Sequence, residues 1–289
     1  MDLIVMQVLG LLLLIAGVGG AYRFLVRPRV PPSDIQRTGL LMLLVLTMMG
    51  GFIGSIGWWT DNPASFSWDL PLLASRMLGA AAVAFGVLNW LVLAHPTWRR
   101  VRLALLLLLT YLLPLAVAIV LFHLNRFDPA APITYSFFII VIVMILAGIW
   151  YLWKQPSIVE DVARDNHPTS SLSRGWLTGL TILMGVWGIA LFLTDTGPDL
   201  IWAWPGDLLT SRLIAVMLLT ISAAAVYSRN KADTAHMTHV LVLVYGLGVV
   251  VANIAHALEG KPVKPVYVAV FGIMAFISFG FWWQSRKNP

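Results

Sequence analysis

Cysteine is absent and charge is scarce. Without a thiol the chain makes no disulfide, thiolate nucleophile, iron–sulfur cluster or cysteine zinc site. Acidic and basic residues amount to 11% of the 289, against roughly 25% in soluble domains, and 59% are apolar. So much apolar surface cannot be hidden from water, which excludes a soluble enzyme, a disordered chain and a fibrous repeat. Also missing are a phosphate-binding P-loop, a G-x-S-x-G elbow, an H-E-x-x-H pair and a dinucleotide fingerprint, so no motif nominates an enzyme and no cofactor is called for. No Asp, Glu, Lys or Arg falls near the middle of any apolar run. Such residues carry proton relays and ion coupling, and their absence argues against a proton-coupled pump.

The chain does contain long apolar runs, and a membrane-crossing helix needs about 20 such residues. Nine are predicted: 3–24, 39–58, 72–94, 103–121, 133–153, 175–193, 208–227, 239–258 and 266–283. The runs are continuous and too long for membrane strands. The fold class is therefore an all-α integral membrane protein of about nine transmembrane helices, with the lipid bilayer as its first partner.

Charge sets the orientation. Asp2 precedes the first run and Arg23, Arg27 and Arg29 follow it, the reverse of a secretory signal. With the N-terminus outside and the C-terminus cytoplasmic, 14 of 19 basic residues face the cytoplasm and 8 of 13 acids face out. That split is the positive-inside bias. It also accounts for the net charge of +6 through loops that meet anionic headgroups, so no nucleic-acid partner is implied. Trp58, Trp59, Trp68, Trp150, Trp153, Trp202, Trp204, Trp282 and Trp283 gather at run ends, as an interfacial belt does.

The chain repeats itself. Thr60-Asp61-Asn62-Pro63, Trp68 and Leu72-Leu73-Ala74-Ser75-Arg76 return as Thr194-Asp195-Thr196-Gly197-Pro198, Trp204 and Leu208-Leu209-Thr210-Ser211-Arg212. His123 matches His256, Tyr135 matches Tyr267, and Trp150 matches Trp282, at offsets between 130 and 136. The expected plan is a leading helix and basic loop (1–35), a four-helix repeat (36–153), a cytoplasmic linker (154–173) and a second four-helix repeat (174–289). Each repeat has an even number of spans, so the two run parallel, and a ligand or pore belongs at their interface. Gly50, Gly51, Gly54, Gly57, Gly185 and Gly188 predict close helix packing.

The stretch Trp68-Asp69-Leu70-Pro71-Leu72-Leu73-Ala74-Ser75-Arg76-Met77-Leu78-Gly79-Ala80 and its copy through Arg212 resemble a W-P-L-T-P-L-T-A-R-x-L-G-A-W signature of bacterial multi-spanning membrane proteins. Both copies depart from it, with Ala74-Ser75 and Thr210-Ser211 where Leu-Thr-Ala would stand. The resemblance implies a bacterial inner membrane and no chemistry.

The candidate ligand-binding residues are Asp61, Arg76 and His123 in one repeat and Asp195, Arg212 and His256 in the other, with Asp69 and Asp207 beside them. All fall near outer helix ends, and each repeat is expected to build the same cluster. Asp61 and Asp195 also suit turn caps, and the arginines suit pairing with them or reaching headgroups. His123 and His256 offer an alternative, as axial ligands of one haem, since the four-plus-four plan resembles that of haem A synthases. Those enzymes carry a histidine pair in each half, and here each half has one. Asn253 is placed to bond His256. Asp233, His236 and His239 read as a solvated helix start, and Glu160, Asp161, Arg164, Asp165 and His167 as a solvated cluster with a Glu160–Arg164 pair. Two functions fit these residues: binding or transport of a small molecule or lipid between the repeats, or an accessory or assembly role beside membrane-protein partners.

The lack of native cysteine makes the orientation directly testable. In intact cells a membrane-impermeant maleimide should label Asp199→Cys and not Arg229→Cys. Labelling of Arg229→Cys alone would invert the topology.

Overall fold

Short polar side chains and prolines decide where each helix starts. The computed structural model describes residues 12, 14–31, 33–62, 65, 68–156, 167–204 and 206–287. Eight helices in them are long and apolar enough to cross a membrane. They are α1 (Ile35–Trp59), α2 (Leu72–Ala94), α3 (Trp98–Phe122), α4 (Pro132–Lys154), α5 (Ser171–Leu193), α6 (Leu208–Ser228), α7 (Ala232–Leu258) and α8 (Pro265–Lys287). Asp34, Thr97, Ser170 and Asp207 cap α1, α3, α5 and α6 by accepting from the N–H three residues on, at 2.9, 3.4, 3.3 and 3.2 Å. Pro132 and Pro265 open α4 and α8, where a missing N–H costs nothing. At the end of α1, Asp61 takes a left-handed conformation (φ 51°), and the Asn62 N–H turns back to the Gly57 carbonyl at 2.9 Å.

Seven of the expected runs coincide with helices to within a few residues. The exception is α7, which starts at Ala232, two turns before the expected His239, and α3 similarly takes in Arg99, Arg100 and Arg102. Hydropathy trims such polar helix starts even when their side chains are buried. Of the leading run, the described part is the short apolar helix Leu14–Val26, and residues 1–11 and 13 lie outside the described set. Glu160, Asp161, Arg164 and Asp165 lie outside it too.

The helices pair in the same way in both halves. α1 lies along α2, as α5 lies along α6, and α3 touches α4, as α7 touches α8. Across the halves α2 packs on α7 and α6 on α3. That places α2 and α6 at the centre, and they are the most buried spans. Around them Leu88, Met77, Leu103, Leu105, Tyr245 and Phe271 fill a continuous core. The α1–α2, α3–α4, α5–α6 and α7–α8 loops share one end of the bundle, called here the turn end, and residues 155–156 and 167–170 lie at the opposite, linker end. Trp150 and Trp153 are exposed beneath the Lys154 ammonium, at 5.0 and 4.8 Å, as a belt requires. Trp202 instead is buried and donates to the Thr194 carbonyl at 2.9 Å.

The glycines divide in function. A Cβ on Gly51 would meet the Ala82 carbonyl oxygen of α2 at 2.5 Å, and one on Gly188 would meet Leu219 at 2.9 Å. A Cβ on Gly50 meets nothing within 4 Å. Gly51→Ala should lower the thermal unfolding temperature in detergent, at a cost of about 1–3 kcal/mol, while Gly50→Ala leaves it unchanged. Equal effects would show that the α1–α2 approach is not the constraint.

Candidate functional site

At the turn end the two arginines do not form clusters within their own halves. Arg76 lies in the second turn of α2, between core residues Leu73 and Met77, and is 8% exposed. Its Nη2 donates to the carboxylate of Glu259, at the end of α7 in the other half. His256, one turn earlier on α7, lies within electrostatic reach of the same guanidinium. Arg212 on α6 is likewise 8% exposed and reaches back to α3, where its Nη1 lies 2.7 Å from His123 Nε2. The expectation that each repeat completes its own cluster is therefore corrected. Because α2 packs on α7 and α6 on α3, Arg212 bonds the histidine of the opposite copy and Arg76 bonds Glu259, one turn from the histidine of its opposite copy.

The copies differ in detail. A guanidinium only donates, so His123 Nε2 accepts and the proton of the neutral ring sits on Nδ1. Partial burial, then the charges of Arg212 and Arg126, hold this imidazole below its ordinary value of 6.5, against the opposing pull of Asp207. Arg212 Nε donates to the Phe192 carbonyl at 3.1 Å, and the rings of Phe122 and Phe192 lie 4.8 and 5.6 Å from its guanidinium carbon. The matching carbonyl in the first half, that of Trp58, accepts instead from Ser75 Oγ at 2.7 Å. Arg76 Nε and Nη1 are then buried with no hydrogen-bond partner among the described residues, as is Ser211 Oγ in the other copy.

Asp61 is exposed and terminates α1. Asp195 is half-buried and acts electrostatically on Arg212. Asp207 spends its carboxylate on Thr210, accepting from the backbone N–H at 3.2 Å and from Oγ1 at 2.6 Å. Asp69 is exposed. Asn253 bonds the Val249 carbonyl and the Lys264 N–H rather than His256. His123 and His256 sit in different clusters, and the Nε2 that would bind a haem iron in His123 already faces Arg212.

The linker end holds what the sequence reading treated as solvated. Asp233 is buried and receives Arg100 in a two-pronged pair across the halves, with Nε at 2.8 and 2.9 Å and Nη2 closing on the same carboxylate. His239, 2% exposed, has its Nε2 2.7 Å from Ser173 Oγ and stacks on Phe281 at 5.1 Å. His236 Nδ1 bonds Ser285 Oγ at 2.8 Å. Beside them lies a cavity of about 660 Å³ between the halves, onto which α2, α3, α5, α7, α8 and the linker all open. Four of the six histidines in the chain, His95, His167, His236 and His239, line it. His239 Nδ1 and Thr169 Oγ1, also on its wall, are buried without a partner among the described residues. Among the described residues no group of three or more His, Asp or Glu side chains is arranged to hold a metal ion. The three-residue spacing of Asp233, His236 and His239 was visible, and their burial was not, because it depends on Arg100, Ser173 and Phe281 arriving from other helices.

Compared with known proteins, the chain matches no family model, no curated protein and no solved structure.

Removing one partner of a buried ion pair leaves the other charge stranded. Asp233→Asn should therefore destabilise the detergent-solubilised protein by about 3–5 kcal/mol. The double variant Arg100→Met/Asp233→Leu should recover much of that loss. A double variant as unstable as the sum of the singles would show that the pair is not coupled.

Proposed function

We propose that this membrane protein binds a small, uncharged, hydrogen-bonding organic molecule between its two halves, in the linker-end cavity. The observation that carries the reading is a cavity of about 660 Å³ whose wall includes two buried polar atoms without a partner among the described residues, His239 Nδ1 and Thr169 Oγ1. Binding pockets for small molecules are of this size, mostly apolar with a few convergent polar groups. Here Leu91, Met237 and Phe281 supply the apolar part, and Ser170, Thr169 and the imidazoles the polar part. Arg100 and Asp233 neutralise each other, so their part of the wall favours a neutral guest over an ion. The basic-residue count supports an inner-membrane orientation with this end facing the cytoplasm, where such a molecule would enter.

This reading keeps the inter-repeat interface as the place of binding and moves the main site from the turn end to the linker end. Native mass spectrometry of the chain extracted in mild detergent should find a small organic adduct, reduced in Thr169→Val and His239→Phe. Extraction of a bare chain, with no thermal stabilisation by a panel of neutral metabolites, would overturn the proposal.

A further inference from the structure

Arg76 holds donors that the fold does not use. Its side chain is nine-tenths buried, yet only Nη2 has a partner, the Glu259 carboxylate, while Nε and Nη1 have none among the described residues. His256 Nδ1, in the same cluster, is also buried without a partner. A buried donor left unmade costs about 1–3 kcal/mol, and more for a charged group, so the two unused guanidinium donors of Arg76 mark a position built for an acceptor. The pseudo-equivalent arginine shows how the same geometry looks when it is closed. Arg212 commits Nε to the Phe192 carbonyl and Nη1 to His123, with two phenyl rings against it. In the Arg76 copy Ser75 has taken the matching carbonyl, which frees the guanidinium.

The charge around Arg76 specifies the acceptor. Arg76 and Lys261 are cationic, and the one carboxylate between them is Glu259, which Lys261 Nζ also contacts at 3.2 Å. Glu259 sits at the rim with 40% of its side chain exposed, and its pKa is held below the usual carboxylate range, chiefly by the hydrogen bond from Arg76. It is an internal carboxylate already resting on an arginine whose remaining donors point elsewhere. We infer that Arg76 and His256 form a second binding site, at the turn end, for an oxyanion of the carboxylate or phosphate class, and that Glu259 competes with that oxyanion for the guanidinium. Planar, permanently charged guanidinium is suited to such groups. The oxyanion has two sources, a free anion or the phosphate of a lipid headgroup, because the cluster lies at the ends of membrane-crossing helices. The inference does not depend on the linker-end cavity, which lies at the other end of the bundle.

Two arms separate the sources. The detergent-solubilised full chain is titrated with inorganic phosphate and followed by thermal unfolding. In parallel, native mass spectrometry measures lipid retained by the chain from phosphatidylcholine nanodiscs with and without phosphatidylglycerol. Stabilisation by phosphate identifies a free anion, and selective retention of phosphatidylglycerol identifies a headgroup. In either arm Glu259→Gln should tighten binding about tenfold, equivalent to about 1.4 kcal/mol. Arg76→Gln should abolish it, and Arg212→Gln should leave it in place. If the arginine variants do not fold, Glu259→Gln decides alone. No phosphate response and no selective lipid in either wild type or Glu259→Gln overturns the site, and binding that Glu259→Gln leaves unchanged overturns the competition.

Discussion

A guanidinium keeps its charge at any pH a cell reaches, and two of them are buried near the starts of the two most buried helices of this bundle. A charge in that position needs polar partners, and the helices beside it in sequence do not bring enough of them. Glu259 and His123 come from the opposite half. The α2–α7 and α6–α3 packing is what makes those partners available, so the requirement of the arginines and the arrangement of the helices agree. The apolar core between them then has a fixed register, because sliding one half along the other would strand both cations.

The linker end is held by the same logic with a different outcome. Arg100 and Asp233 close one point of contact between the halves, while the cavity beside them stays open. At the turn end the cross-half contacts are short and local. At the linker end they surround a volume large enough for a guest. The two ends of the interface thus differ, with side-chain contacts at the turn end and a recess beside an ion pair at the linker end.

Much of this fold was legible in the sequence. Continuous apolar runs with prolines and capping residues at their edges locate membrane helices, and the Thr-Asp and Leu-Leu-x-Ser-Arg motifs return before and at the starts of α2 and α6, the two most buried spans. What was not legible is who meets whom across the halves. Reading along the chain puts Arg76 with Asp61 and His123, because they belong to one repeat. Space puts Arg76 with Glu259 and His256, because α2 lies on α7. Asp233 was misread for a related reason. Its neighbours in sequence are polar, so it reads as solvated, and the cation that draws it into the bundle is 133 positions away. Burial of a charged residue is decided by the partner's address, which one-dimensional periodicity does not contain.

The exchange of one carbonyl between a serine and an arginine has a wider meaning. A symmetric pair of separate four-helix chains would have to build both arginine clusters alike, since each would be the same surface. A single chain that carries both units escapes that requirement. One copy is free to become a fixed clamp, its guanidinium held by the Phe192 carbonyl, His123 and two phenyl rings, while the other keeps an incomplete set of contacts. With both arginines in one chain their surroundings can differ, and here Arg212 is the more fully bonded and Arg76 the less.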